Sequence, residues 1–292
     1  MRVSNAYRYD QLSSQIGAAE LRVQQAQDRA TTGKRINKAS DDPTGTRQLL
    51  GIGSLKAGIA GYTKNLDTAK GALGASEAAY GDIGDLIQQA QALAVQGATT
   101  TIDQTTRNSI AEQVQTLRDR LVALGNSQGP DGRFLFGGQV TDAKPFSTAA
   151  DGSLVYAGNT TVPSVQTGPG ETTKVGETGT AIGDLFDKLT SLKNDLASGN
   201  VAAVSGRLDE IKAAGETMVS ARADVGRRLN SLETSRASME RRDLDLTERA
   251  TEVGEIDYAA AIVEFTAAQS AYQAALQVAS KGFSMGLMDF IR

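Results

Sequence analysis

The 292-residue sequence contains no cysteine, no histidine and no tryptophan. Without cysteine the chain has neither disulfides nor thiolate nucleophiles. Without histidine it lacks the usual general base and a preferred zinc ligand. Pairs of Asp and Glu remain as possible catalysts, but none stands out by its spacing. The sequence therefore argues strongly against an enzyme and predicts no metal and no cofactor.

Large aromatic side chains, proline and long apolar runs are scarce as well. The chain has seven Phe, seven Tyr and five Pro. Its abundant small side chains suit helices packed closely side by side rather than a large round core. No apolar run is long enough to span a bilayer. Residues 1–27 also lack the apolar core and cleavage site of a Sec signal peptide.

The charge pattern argues against nucleic acid as a partner. The net charge is −4, and both signs are mixed along the whole chain. No stripe of Lys and Arg is available to neutralise phosphates.

The main pattern in the sequence is the heptad repeat of apolar residues. In the longest, Val201–Val253, apolar residues recur in alternating steps of three and four, as in a helix packed against other helices. Such a helix would extend for roughly 80 Å, which predicts an elongated antiparallel bundle or coiled coil. Asn200, directly before it, is expected to be its N-cap. Arg222, Arg236 and Asp243 occupy positions of this stripe. We expect them to fix the register within the subunit or to contact a neighbouring chain.

The same period recurs in other segments and is missing from one region. Further helices are predicted from the N-terminus to Thr32, from Pro43 to Gly97, after Asp103 to Gly125, from Thr180 to Ser198, and beyond Gly254. Residues 128–180 lack the period and hold four of the five prolines. Short strands are predicted there, at Phe134–Gly138, Leu154–Tyr156 and Val162–Val165. The predicted fold class is therefore mainly α, with a small β-rich insertion.

Two breaks separate the terminal helices from the rest. Gly33 predicts a left-handed C-cap of the first helix, with Arg35 close to the negative end of that helix. Asp42 followed by Pro43 predicts the N-cap and first residue of the next helix. Near the other end of the chain, the heptad register shifts beside Gly254. We expect the two terminal helices to pair with each other.

These breaks predict four regions. They are an inner terminal helical domain made of residues 1–32 and 255–292, a linker at 33–46, a helical rod made of 47–127 and 181–254, and a small β-rich outer region at 128–180.

Several short motifs resemble a known family. The chain resembles the N-terminal signature of the flagellin superfamily in two stretches. The first is Arg2-Val3-Ser4 with Tyr7, and the second is Thr32-Gly33-Lys34-Arg35-Ile36-Asn37, which leads to Ser40-Asp41-Asp42-Pro43. Within that superfamily, the chain resembles the hook-associated protein 3 family of the hook–filament junction in one further motif. This motif is Phe134-Leu135-Phe136-Gly137-Gly138 followed by Pro145-Phe146. The chain agrees with this family in three further stretches, Ser220-Ala221-Arg222, Val225-Gly226-Arg227 and Met288-Asp289-Phe290.

The resemblance implies a non-catalytic axial component of the bacterial flagellum, located outside the cell. It implies export through the flagellar type III apparatus and terminal helices that are loose in the free subunit and order on assembly. The implied partners are further copies of the chain in a ring or helical layer, hook-associated protein 1 and flagellin. An export chaperone is expected to bind the C-terminal segment, residues 255–292.

The candidate assembly residues come from three places. The apolar stripes of the terminal helices contribute Tyr9, Leu12, Ile16, Val23, Ile262, Phe265, Tyr272, Leu276 and Phe283. The first break contributes Asp41, Asp42 and Pro43. The β-rich insertion contributes Phe134, Phe136, Gly137 and Gly138.

Two alternatives remain open at this point. Flagellin, the major filament subunit, shares the terminal plan, although Phe134–Gly138, Pro43 and the Arg2-Val3-Ser4 opening argue against it. A helical-bundle enzyme or ligand-binding protein is less favoured, because Arg222 and Asp243 are its only candidate residues. Polar residues at core heptad positions more often fix register or contact a partner helix.

Overall fold

The computed structural model describes residues 2–288, with side chains described for Tyr7 and for residues 9–281. Within this part the chain forms six α-helices and four short strands. In chain order they are α1 (Arg2–Thr32), α2 (Pro43–Gly97), α3 (Gln104–Gly125), β1 (Phe146–Thr148), β2 (Leu154–Tyr156), β3 (Ser164–Gly168), β4 (Glu171–Lys174), α4 (Thr180–Ser198), α5 (Val201–Gly254) and α6 (Tyr258–Met288). The predicted mainly α class with a small β-rich insertion is confirmed.

The chain divides into two compact units. Unit 1 comprises Met1–Gly58 and Arg242–Arg292, and unit 2 comprises Ile59–Arg241. The two longest helices, α2 and α5, each contribute residues to both units. The four regions expected from the breaks in the heptad pattern stay a prediction.

Unit 2 has an apolar core to which its helices and the insertion contribute. The buried side chains follow the heptad positions and include Leu73, Ile83, Val114, Leu121, Leu185, Leu192, Val204, Ile211 and Val225. Burying one such side chain stabilises a fold by about 1.5–3 kcal/mol. The apolar stripes seen in the sequence are therefore the source of this core.

Local capping explains where three of the helices begin or end. Asp103 accepts a hydrogen bond from the backbone N–H of Thr106 at 2.8 Å and caps the start of α3. Gly199 ends α4 with φ of 73°, a left-handed conformation that glycine adopts without a Cβ penalty. Asn200 then accepts from the N–H of Ala203 at 3.1 Å, which confirms its predicted role as the N-cap of α5.

Ion pairs join α2 to α5 in antiparallel order within unit 2. The Nε and Nη2 atoms of Arg222 lie 2.8 and 2.6 Å from a carboxylate oxygen of Glu77. Arg236, which follows Arg222 in α5, pairs with Asp67, which precedes Glu77 in α2. Partly exposed pairs like these contribute only about 0.2–1 kcal/mol each. Of the two roles predicted for both arginines, the structure supports a register contact inside the chain.

The insertion contains two separate hairpins. β1 pairs with β2 and β3 pairs with β4, both antiparallel. The strand predicted at Leu154–Tyr156 is confirmed, and Val162–Val165 overlaps β3. The strand predicted at Phe134–Gly138 is wrong, since this segment forms only isolated bridges. Gly138 has φ of 65°, which an extended strand does not allow.

We expect the buried stripe to dominate the stability of unit 2. Leu189 in α4 is fully buried, so Leu189→Ala should lower the free energy of unfolding by about 2–5 kcal/mol. Val219 in α5 is 67% exposed, so the control Val219→Ala should change it by no more than about 0.5 kcal/mol. Urea titration followed by circular dichroism measures both, and equal losses would contradict the assigned core.

Candidate functional site

The terminal helices α1 and α6 pack against each other in unit 1. Their contact is built from small side chains, with Ala26, Ala261 and Ala279 almost fully buried. Arg29 Nη1 lies 3.2 Å from the Glu264 carboxylate across the pair. The predicted pairing of the two chain ends is confirmed.

The predicted assembly residues of these helices are only partly covered. Tyr9, Ile262 and Leu276 are 38%, 55% and 42% exposed. Half-buried positions are Leu12, Ile16, Val23, Phe265 and Tyr272. The side chain of Phe283 lies outside the described residues. Exposed apolar side chains along paired helices are typical of a surface that packs against other molecules, and their role in assembly stays a prediction.

Gly33 ends α1 in the predicted left-handed C-cap. Its φ is 68°, and its N–H donates to the carbonyl of Arg29 at 2.9 Å. A Cβ at this position would lie 2.7 Å from the hydroxyl oxygen of Tyr258. Both the backbone conformation and the close approach of α6 therefore require glycine here.

The two breaks in the chain meet at one place. The N–H of Arg35 donates to the carbonyl of Gly254 at 2.7 Å, and the N–H of Ile256 donates to the carbonyl of Gly33 at 3.1 Å. These bonds tie the loop after α1 to the loop after α5. We call this region the joint, defined as residues 33–45 and 253–258.

The side chain of Arg35 crosses the joint. Its Nε and Nη2 atoms donate to the carbonyl of Val253 at 3.0 and 2.7 Å. A cation at the end of α5 satisfies a carbonyl that the helix leaves unpaired and favours the helix dipole. Arg35 follows the end of α1 as expected from the sequence, but its side chain bonds to the end of α5. Its actual partner is 218 residues away in sequence, and no local pattern signals such a contact.

Asp42 begins α2 as predicted. Its carboxylate accepts hydrogen bonds from the N–H groups of Gly45 and Thr44 at 2.9 and 3.0 Å, and Pro43 is the first helical residue. Arg35 Nη2 lies 3.0 Å from the same carboxylate. The Gly45 hydrogen bond, followed by the Arg35 contact, lowers the pKa of Asp42. This N-cap is therefore linked through Arg35 to the end of α5.

Asp41 organises the turn just before it. Its carboxylate accepts from the N–H groups of Lys38 and Asn37 at 2.9 and 3.1 Å. The Lys38 bond, followed by the Asn37 bond, lowers the pKa of Asp41. Both carboxylates of the motif thus hold local backbone, which agrees with a capping and linking role.

The Phe134–Gly138 motif lies in unit 2 and anchors the insertion. Phe136 is fully buried, and its ring meets Tyr80 of α2 edge-on, with centroids 5.4 Å apart. A Cβ on Gly137 would lie 2.1 Å from the carbonyl oxygen of Val140. Internal packing is sufficient to explain these residues, and their role in contacts with other chains stays a prediction.

A polar network beside this motif was not predicted from the sequence. The hydroxyl of Tyr80 donates to the Glu177 carboxylate at 3.3 Å, and Arg228 pairs with the same carboxylate. Burial raises the pKa of Glu177, with Arg228 acting in the opposite direction, and burial also raises the pKa of Tyr80. The partners of Glu177 lie 97 and 51 residues away, so no spacing rule could have revealed them.

Neither a metal site nor a membrane-spanning helix is present among the described residues. They contain no group of three or more acidic, histidine or cysteine side chains placed to hold a metal ion. None of the helices in residues 2–288 has a stretch long and apolar enough to cross a membrane.

Acid is expected to loosen the joint. The folded pKa values of Asp41 and Asp42 are lowered, so their stabilising effect is complete above the ordinary Asp pKa of about 3.9. It is lost as the pH falls through the lowered folded values. Hydrogen-exchange protection at the N–H groups of Lys38 and Gly45, measured by NMR from pH 5 to 2, should fall, while that of Leu189 should change less.

The matched control is the double variant Asp41→Asn and Asp42→Asn. Its protection at both N–H groups should not change between pH 5 and pH 2, because the Asn side chains do not titrate, although their Oδ1 atoms can still accept the N–H hydrogen bonds. Protection in the wild-type chain that is as strong at pH 2 as at pH 5 would contradict this account of the joint.

Comparison with known proteins gives three relevant matches. A family model for the bacterial flagellin N-terminal helical region matches residues 3–141. Flagellar hook-associated protein 3 of Salmonella typhimurium is 25% identical over 323 aligned residues, covering 100% of both chains. Polar flagellin F of Vibrio parahaemolyticus is 26% identical over 133 residues, covering 46% of this chain and 35% of that protein.

The fold agrees with these matches. The solved structure of a flagellar junction protein from Legionella pneumophila superposes with a TM-score of 0.56 and 15% identity, covering 64% of this chain and 99% of that one. At this identity the likeness concerns the fold alone. The N-terminal half of the chain is thus similar to the helical N-terminal region of bacterial flagellins, and the chain as a whole is similar to a flagellar hook-associated protein 3.

Proposed function

We propose that this protein is an axial structural component of the bacterial flagellum. In this role it forms the junction layer between hook-associated protein 1 and the flagellin filament. The observation that carries the proposal is the alignment with a hook-associated protein 3 over the full length of both chains. The flagellin match covers less than half of this chain, which makes flagellin the weaker alternative.

The proposed activity is packing, without catalysis. The α1–α6 pair carries exposed apolar side chains, and burying them against neighbouring subunits would stabilise the layer by about 25 cal/mol per Å² of apolar surface. The joint holds this pair to the ends of α2 and α5 through Gly33, Arg35 and Gly254. A neighbour that binds the pair therefore binds a surface that is already tied to longer helices.

The proposed partners follow from the same role. They are further copies of the chain in a ring or helical layer, hook-associated protein 1 and flagellin. Export would use the flagellar type III apparatus. A chaperone would cover residues 255–292 beforehand, because Tyr258, Val263 and Val278 are 57%, 67% and 63% exposed and would otherwise favour aggregation.

Deletion of the gene should leave cells with hooks but without filaments. Flagellin should still be exported and accumulate as monomer in the medium, because the layer that retains it is missing. Electron microscopy of the cells and immunoblots of the medium measure both results.

A plasmid copy of the unaltered gene serves as the control and should restore filaments. Normal filaments in the deletion strain would contradict the junction role. Loss of filaments with no flagellin in the medium, while hooks persist, would instead favour the flagellin alternative.

Removal of residues 1–32 and 255–292 should leave a helical, soluble monomer that does not enter flagella. The core of unit 2 contains only residues between Leu66 and Met239, so the truncation removes none of it. Circular dichroism and sedimentation test the folding, and immunogold labelling of flagella tests incorporation. A truncated chain that still labels flagella would show that the terminal helices are not the assembly element.

A further inference from the structure

One face of α2 in unit 1 is apolar without a partner. Leu50 and Leu55 are 71% and 60% exposed, although large apolar side chains of this helix are otherwise mostly covered. Gly51 lies between these two leucines and Gly58 lies beyond them, and a Cβ added to either glycine would meet no atom within 4 Å. The backbone of this face is therefore open to the close approach of another helix.

The charge of this face is of one sign. Between Asp42 and Asp67 the sequence of α2 contains no acidic residue. Its cations in unit 1 are Arg47 and Lys56. Lys56 points toward α5, where its Nζ lies 3.6 Å from Asp243. Arg47 is exposed, and within the described residues it forms no ion pair, so the face carries an unneutralised positive charge.

The outer face of α5 in unit 1 has the complementary character. Leu244 is 63% exposed, and Glu248 and Glu252 follow it at steps of four along the same side of the helix. Neither glutamate forms an ion pair within the described part of the chain. This face therefore combines one exposed leucine with unneutralised negative charge.

The two faces point away from each other in one chain. α2 and α5 pack through their opposite sides, where a Cβ on Gly254 would lie 3.3 Å from Leu49 and where Lys56 meets Asp243. A single chain therefore cannot bring its own two outer faces together. Two copies in the same orientation can, and the helices that meet are then antiparallel, as they are inside one chain.

The spacing of the side chains fits that antiparallel contact. Arg47 lies one helical turn before Leu50, and Glu248 lies one turn after Leu244. When Leu50 of one copy lies opposite Leu244 of the next, Arg47 is therefore brought opposite Glu248. A single alignment thus brings Leu50 to Leu244 and Arg47 to Glu248 together.

We propose that the outer face of α2 in one copy docks on the outer face of α5 in the next copy. The interface comprises Arg47 and Leu50 on one side, and Leu244 and Glu248 on the other. Two different surfaces that join head to tail generate a closed ring or a helical array. The inference rests on the proposed function, since it names the lateral contact within the junction layer.

The test is a charge swap in the deletion strain. Arg47→Glu places like charges in contact, as does Glu248→Lys, and each should reduce the number of filaments per cell at least about tenfold. The chain that carries both substitutions should recover most of the filaments, because every contact again joins opposite charges. Electron microscopy counts the filaments, and immunoblots of the medium verify that all variants are exported.

Each result has a defined meaning. Recovery by the double variant supports the docking of one copy on the next. Single variants that fail without recovery indicate that these faces contact a different protein, and they overturn the inference. Single variants that form normal filaments overturn it as well. The deletion strain without plasmid tests the proposed function separately, because it remains without filaments whether or not this contact exists.

The absence of natural cysteine allows a direct measurement of proximity. In isolated flagella, the double variant Leu50→Cys and Leu244→Cys should give a ladder of multimers of this chain after treatment with a short bis-maleimide. Each single cysteine variant should give no ladder, because one face alone cannot link successive copies. A double variant that assembles filaments but gives no multimers would overturn the inference.

Discussion

The antiparallel packing of α2 against α5 is the contact on which the other elements depend. In unit 2 the buried stripes of these helices contribute to one core with α3, α4 and the insertion. In unit 1 the remaining parts of α2 and α5 approach each other at Leu49 and Gly254. The hydrogen bonds of the joint lie beside this approach. Apolar burial supplies most of the stabilisation, while Arg222 and Arg236 select which positions face each other.

The same physical rules produce both the core of this protein and its exposed apolar surfaces. Small side chains such as Ala26 and Ala261 bring α1 and α6 close together, but their short stripe leaves Ile262 and Leu276 exposed. Within α2 and α5, the inner sides are covered while Leu50 and Leu244 remain outside. Under the proposed function, these exposed side chains complete their burial against neighbouring molecules.

The sequence predicted those parts of the structure that depend on period and local chemistry. The helix bounds, the caps at Gly33, Asp42 and Asn200, and the pairing of the chain ends follow from heptads and capping rules. The role of Arg35 and the network around Glu177 could not be predicted, because their partners are distant in sequence. The strand expected at Phe134–Gly138 failed because Gly138 has a positive φ, which gives the end of this apolar segment a turn geometry instead.

The joint also constrains the order in which the chain folds. Its backbone bonds connect residues near Gly33 with residues near Gly254, so it closes a loop that contains most of the chain. Loop closure of this kind is delayed until both ends are available, whatever the local helix propensity. In a chain that emerges from its N-terminus onward, the residues of unit 2 are therefore available before unit 1 can be completed, because the α1–α6 pair needs residues beyond Gly254.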